Sequence, residues 1–182
     1  MRISAILSAL SAAVFLTGCA ASEQVYDKNY VRAVAIEGVE GSAAVFSFYD
    51  ESARPYAAEG ESLQAVRKAA EVGLGKTIVT GHTELIVLGD CDYVSALEFM
   101  LNEWKVSPSC LVVYGGSYAD SVLRECDAET LADSVRHAAA QGKAPECDIV
   151  TVLSGLLGSE RSAEVARIGE EGVEGTAIVS VK

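Results

Sequence analysis

Gly81 to Gly116 reads GHTELIVLGDCDYVSALEFMLNEWKVSPSCLVVYGG, and this stretch decides the fold. Thr83 to Leu88 (TELIVL) is rich in strand-forming residues and ends at Gly89-Asp90. Asp92 is an expected N-cap, because its carboxylate can accept from an orphan amide of a first helical turn. Leu97, Met100, Leu101 and Trp104 then recur at i, i+3, i+4 and i+7, which predicts one buried helix face. Pro108 closes the connection, and Cys110 to Tyr114 (CLVVY) is a second apolar run. Two buried strands joined by a helix predict a right-handed crossover with parallel pairing.

Upstream, Tyr30 to Glu37 (YVRAVAIE) and Ser42 to Tyr49 (SAAVFSFY) read as a hairpin around Gly38-Val39-Glu40-Gly41. Asp50 to Gly60, which contains Pro55, reads as a polar loop. Ser62 can cap a helix whose inner face is Leu63, Val66 and Ala70, ending near Gly73 or Gly75. Downstream, Ser117 to Glu125 predicts a short helix with Ala119, Val122 and Leu123 inward. Asp127 caps the next, with Leu131, Val135 and Ala138 in register and Gly142 past its end. Asp148 caps a third, carrying the stripe Ile149, Val152, Leu153, Leu156 and Leu157 up to Gly158. Ser159 to Gly175 is charged and punctuated by glycine, so it reads as an exposed loop with room for a turn of helix; Thr176 to Val181 reads as a last strand. The expected fold is α/β with an α+β-like character: one mixed sheet with helices packed on it, in the order β-β-α-β-α-β-α-α-α-β.

The N-terminus reads differently. Arg2 followed by the apolar run Ile3 to Leu16 has the pattern of an export signal and is short for a membrane span. It runs into Leu16-Thr17-Gly18-Cys19, which resembles a bacterial lipobox, so Cys19 is the expected lipidation site. The expected organisation is a lipoprotein signal peptide over 1–18, a lipidated N-terminus and tether over 19–29, and one globular domain over 30–182. A cysteine carrying several acyl chains anchors far better than one chain does. The 14 basic and 26 acidic residues give a formal charge of −12; the leader removes only Arg2, leaving 13 against 26, or −13. Such a balance argues against a nucleic-acid partner and against a phospholipid-hugging surface.

Setting Cys19 aside, Cys91, Cys110, Cys126 and Cys147 allow three disulfide pairings in an exported domain. None of their spacings is CxxC, so no metal site is expected, and Cys110 reads as a small hydrophobe in a buried strand. Ala70 to Thr77 (AEVGLGKT) fits a permissive phosphate-loop pattern, but there a helix precedes and a strand follows, the reverse of what phosphate binding needs. Its glycines are expected to end the helix, and no cofactor is expected. His82 at the entry to the central strand is the best candidate for acid–base chemistry, which needs a partner group beside it in space; a structural role is the simpler reading. Ser117 and Ser154 are expected to lack a strand-turn-helix nucleophile elbow, and His137 to lie partly exposed on a helix. Trp104 reads as packing, and Asp90 and Asp92 as a turn former and a cap.

Taken together, Gly60-Glu61-Ser62 opening a helix, Gly81-His82 leading the strand that ends at Gly89-Asp90, the later strand with Ala119 to Leu123 after it, and the closing Gly175 to Val179 form one ordered pattern. With the lipobox, that pattern resembles the N-terminal domain of the spore-germination lipoproteins, the Ger(x)C family, which are the C subunits of nutrient germinant receptors. The resemblance covers most of the mature chain. It departs from the family after Cys19, where Ala20-Ala21-Ser22 replaces an aromatic-acidic pair, and in its four further cysteines. Family members carry further domains after the strand Thr176 to Val181. The resemblance implies a non-enzymatic domain without catalytic residues, anchored through Cys19 on the outer face of the spore inner membrane. Its implied partners are two membrane-embedded receptor subunits. An envelope lipoprotein that captures a small ligand or serves as an unrelated adaptor is the alternative, and a secreted hydrolase built on His82 a third.

Overall fold

The computed structural model describes residues 28–38, 43–170 and 172–181. The signal peptide, Cys19, most of the tether and the turn expected at Val39 to Gly41 lie outside the described residues. The elements run β1 (Lys28–Gly38), β2 (Ala43–Phe48), β3 (Tyr56–Glu59), α1 (Leu63–Leu74), β4 (Thr77–Val79), β5 (Leu85–Cys91), α2 (Tyr93–Asn102) and β6 (Leu111–Tyr114). A 3-10 turn (Gly116–Tyr118) then leads to α3 (Ala119–Glu125), α4 (Ala128–Ala140), α5 (Ile149–Leu157), β7 (Ser162–Gly169) and β8 (Gly172–Ser180). They form one mixed sheet in the order β3-β2-β1-β5-β6-β7-β8, with β4 pairing the first residues of β1. The expected single mixed α/β sheet is what the chain builds.

The crossover unit is the middle of this sheet. β5 lies between β1 and β6 and pairs both in parallel, Ala33 opposite Leu85 on one side and Leu85 opposite Leu111 on the other. Ala33 to Ile36, Leu85 to Leu88 and Val112 to Val113 are shielded on both faces. A parallel strand covered on both sides needs a continuous apolar run rather than alternation, and these runs supply it. One face packs Val34, Ile36, Ile86, Leu88 and Val112 against apolar residues of α1, α2 and α5. The other packs Ala33, Ala35, Leu85, Val87 and Val113 against α3 and α4. The result is three layers, helices on sheet on helices.

Caps set the helix starts as expected. Ser62 accepts from Ala65 N, Asp92 from Ser95 N, Asp127 from Thr130 N and Asp148 from Thr151 N. Gly75 ends α1 in the left-handed conformation, φ 64°. Trp104 lies beyond α2 yet is buried, and the next residue, Lys105, takes the left-handed conformation at φ 56°. Its ring packs against Phe46 and Phe99, centroids 5.7 and 6.0 Å away. Its carbonyl accepts from the buried Thr80 hydroxyl, and Thr83 Oγ1 donates to Thr80 O at 2.8 Å, so the turn that carries Gly81-His82 is pinned from inside.

Several expectations are corrected. The stretch Asp50 to Gly60 contains a strand, β3, paired antiparallel with β2. The stretch Ser159 to Gly175 is not an exposed loop: it holds all of β7, which pairs β6 in parallel and β8 antiparallel. Thr77 to Val79 forms the short strand β4, and β1 already begins at Lys28, inside the expected tether. The described residues thus hold eight strands, where five were expected for the chain. β5 runs through Asp90 to Cys91, so Asp90 is a strand residue, not a turn former. Leu157, assigned to the buried stripe of α5, is 63 % exposed, while its neighbour Leu156 in the same last turn is in the core at 1 %. Leu101 is only half-buried.

Candidate functional site

The connections out of β5 and β6 part company. After Cys91 the chain crosses to α2 on one face of the sheet; after Tyr114 it passes through Gly115-Gly116 to α3 on the other. When neighbouring parallel strands send their chains to opposite faces, a crevice opens at their carboxyl ends, and ligands of open α/β sheets bind there. A cavity of about 540 Å³ occupies this place, lined by residues from the ends of β5, β6 and β7 and from the start of β8. That volume falls within the range of small-molecule pockets, roughly 300–1,000 Å³.

Local sequence makes the cleft. Gly115 has no room for a side chain, since a Cβ there would lie 2.8 Å from Val87 Cγ1 and 2.9 Å from Ala119 Cα. Gly116 takes φ 56°, a conformation glycine adopts without strain. On the opposite wall, a Cβ at Gly169 would sit 1.8 Å from Glu174 Oε1. Glycine therefore lets the Glu174 carboxylate fold back over the end of β7, where Glu174 Oε2 lies 3.5 Å from Arg167 Nε. Asp90, Tyr114, Ser117, Tyr118 and Glu170 complete the lining. Beneath it, burial and the neighbouring Tyr114 hold the Tyr93 phenol protonated, its pKa pushed up to about 12. A smaller cavity of about 230 Å³ shares Asp90 and is lined mainly by Cys91, Tyr93, Val94 and Val181.

The residues singled out from sequence do not converge. His82 is exposed at the opposite end of β5 from the cleft; its carbonyl accepts from Tyr49 Oη at 2.7 Å and its ring lies 6.2 Å from that of Tyr30. His137 is on α4, its Nε2 2.6 Å from Gln141 Nε2. Ser154 is mid-helix in α5. Ser117 is a correction, because it does stand between a strand and a helix, at the rim of the cleft. The left-handed residue of that turn is Gly116, however, and the histidines lie elsewhere. Asp92 is spent on capping α2, its carboxylate also accepting from Ser95 Oγ at 2.9 Å. In Ala70 to Thr77 the helix precedes and the strand follows, so the sequence GLGK closes α1 instead of opening a helix onto a phosphate.

No disulfide joins any two of Cys91, Cys110, Cys126 and Cys147. Burial pushes the Cys110 thiol far above its ordinary value, as befits a small apolar residue, and burial raises Cys147 as well. Among the described residues no three Cys, His, Asp or Glu side chains are placed to hold a metal ion, and no helix is long and apolar enough to cross a membrane.

A second cluster sits at the amino ends of β1 and β5. The Arg32 guanidinium lies 4.5 Å from the centre of the Tyr49 ring and pairs with Glu129 on α4. Tyr49 Oη also donates to Glu84 at 2.9 Å, and burial together with that carboxylate raises its pKa to about 12. The cluster ties α4 to β1 through Arg32 and Glu129, while Arg32 Nε is buried without a hydrogen-bond partner among the described residues.

Sequence reasoning missed the cleft because its walls come from four separate segments. The signal that points to it is topological: the carboxyl ends of β5 and β6, both legible as strands. No family model matches the chain, and neither a curated protein nor a solved structure does.

Proposed function

We propose that the chain is a lipid-anchored, non-enzymatic component resembling the C subunit of a nutrient germinant receptor. It is held by Cys19 on the extracytoplasmic face of the spore inner membrane and acts through contacts with membrane-embedded receptor subunits. The observation that supports this most is where the ordered landmarks fall in a single sheet. Ser62 caps α1, Gly81-His82 turns directly into the central strand β5, and Thr176 to Val179 lies in the closing strand β8 at the sheet edge. Their places at a cap, a turn and an edge strand support a structural role for the pattern. The lipobox supplies the anchor, and the acidic balance suits a domain that projects from an anionic membrane instead of lying on it.

The reading is tested by Cys19→Ala in cells making the affinity-tagged full chain. The wild type is expected in the membrane fraction, with the mass of a lipidated cysteine, and to co-isolate with two multi-pass proteins. The variant is expected to lose most of its membrane-bound fraction together with both partners, since the acyl chains supply the anchoring free energy. A variant that partitions like the wild type, with lipid mass on neither, contradicts the anchor.

A further inference from the structure

We propose that the cleft at the carboxyl ends of β5, β6 and β7 binds a small ammonium-bearing solute, a free amino acid or amine, with the ammonium held by Asp90 and Glu170 beside the rings of Tyr114 and Tyr118. The cleft's chemistry does not rest on the receptor role, which can fail with this site intact.

The cavity has the place and the size of a ligand site, and its walls set the ligand's charge. Three carboxylates, Asp90, Glu170 and Glu174, face one cation, Arg167. Arg167 and Glu174 offset each other at 3.5 Å, while Asp90 and Glu170 enter no ion pair among the described residues. Two uncompensated carboxylates in one concavity attract a cation, because a concave low-dielectric wall concentrates their field. The geometry required for a bare metal ion is absent among the described residues. An organic cation fits better, since Tyr114 and Tyr118 are part of the lining and tyrosine rings attract an ammonium. Arg167 in the same lining makes only a single, long contact with Glu174, so its fork keeps donors for a ligand carboxylate, the group guanidinium pairs best. An amino acid uses the carboxylates and Arg167 together; a simple amine uses the carboxylates alone.

The test uses the full chain in maltoside micelles at physiological salt, titrated separately with glycine, L-leucine, putrescine and acetate and followed by calorimetry and thermal unfolding. The amino acids or the amine are expected to release heat and to raise the unfolding midpoint as they saturate the site. Acetate is expected to do neither. Asp90→Asn combined with Glu170→Gln should weaken binding roughly ten-fold or more, the loss of two charge-assisted contacts. Both positions are exposed, so the pair should fold like the wild type. Glu98→Gln with Glu160→Gln removes the same charge at exposed positions outside the cleft and should leave binding unchanged. Arg167→Gln separates the two ligand types: selective weakening of the amino acids identifies them as the ligand, and unchanged affinities leave the ammonium site filled by a simple amine. No response to any ammonium compound overturns the proposal. So does equal weakening by the control pair, which would mark a generic attraction to an acidic chain.

Discussion

Replacing Trp104 with Ala is expected to lower the unfolding free energy by about 3–5 kcal/mol, the range for deleting a buried large aromatic. Trp104 is 2 % exposed and lies between Phe46 on β2 and Phe99 on α2, so its removal opens a cavity where the sheet meets the helical layer. The surroundings have little freedom to collapse into it, because the Thr80 hydroxyl fixes the Trp104 carbonyl and Lys105 follows in the left-handed conformation. The indole Nε1 is buried without a partner, which separates packing from hydrogen bonding. Trp104→Phe keeps most of the apolar volume and deletes that unpaired donor, so it should cost less than about 1.5 kcal/mol. Urea unfolding of both variants, with an unchanged denaturant slope, is the measurement. Similar losses for the two would mean that the indole nitrogen, and not the ring's volume, is what the fold uses.

Gly155→Leu is expected to destabilise by about 2–3 kcal/mol, at the upper end of overpacking effects. Gly155 lies in the last turn of α5, where a Cβ would meet Ser162 O at 2.6 Å and Ala163 Cβ at 3.0 Å. The helix therefore rests directly on the first residues of β7, and any side chain forces the two apart. Gly155→Ala sets two effects against each other. Alanine gains about 1 kcal/mol of helix propensity over glycine, and the backbone contact takes back much or all of that gain. Near-neutral stability for Ala beside a clear loss for Leu is the expected pattern in chemical denaturation. A stabilised Leu variant would mean that α5 does not pack on β7 as described.

What the sequence made legible follows from where information is local. β5, α2 and β6 were readable because long apolar runs, a capping aspartate and a helical stripe each leave a local mark, and each cap at Ser62, Asp92, Asp127 and Asp148 is used. β7 left no such mark. Its Ala163, Glu164, Ala166 and Arg167 have weak strand preference, and its partners hold it in place, β6 on one side and β8 on the other. Val165 and Ala166 are adjacent and both buried, one on each face of the sheet, so alternation is absent as well. β3 is four residues at the sheet edge beside Pro55, and β4 only three. The cleft was further from reach, since Asp90, Tyr114, Arg167 and Glu174 meet only once the sheet is assembled. His82 drew attention by its residue type, and the fold places it in a turn secured by Thr80 and Thr83.

The central proposal joins a landmark pattern spread over one sheet to an anchor at Cys19, and both halves meet in a physiological readout. The most direct measurement is nutrient-triggered germination of spores that lack this chain, complemented either with the wild type or with Cys19→Ala. The proposal predicts that spores without the chain fail to respond to nutrient, that the wild type restores the response, and that Cys19→Ala does not. Normal nutrient germination without the chain, or a source that forms no spores, would contradict it.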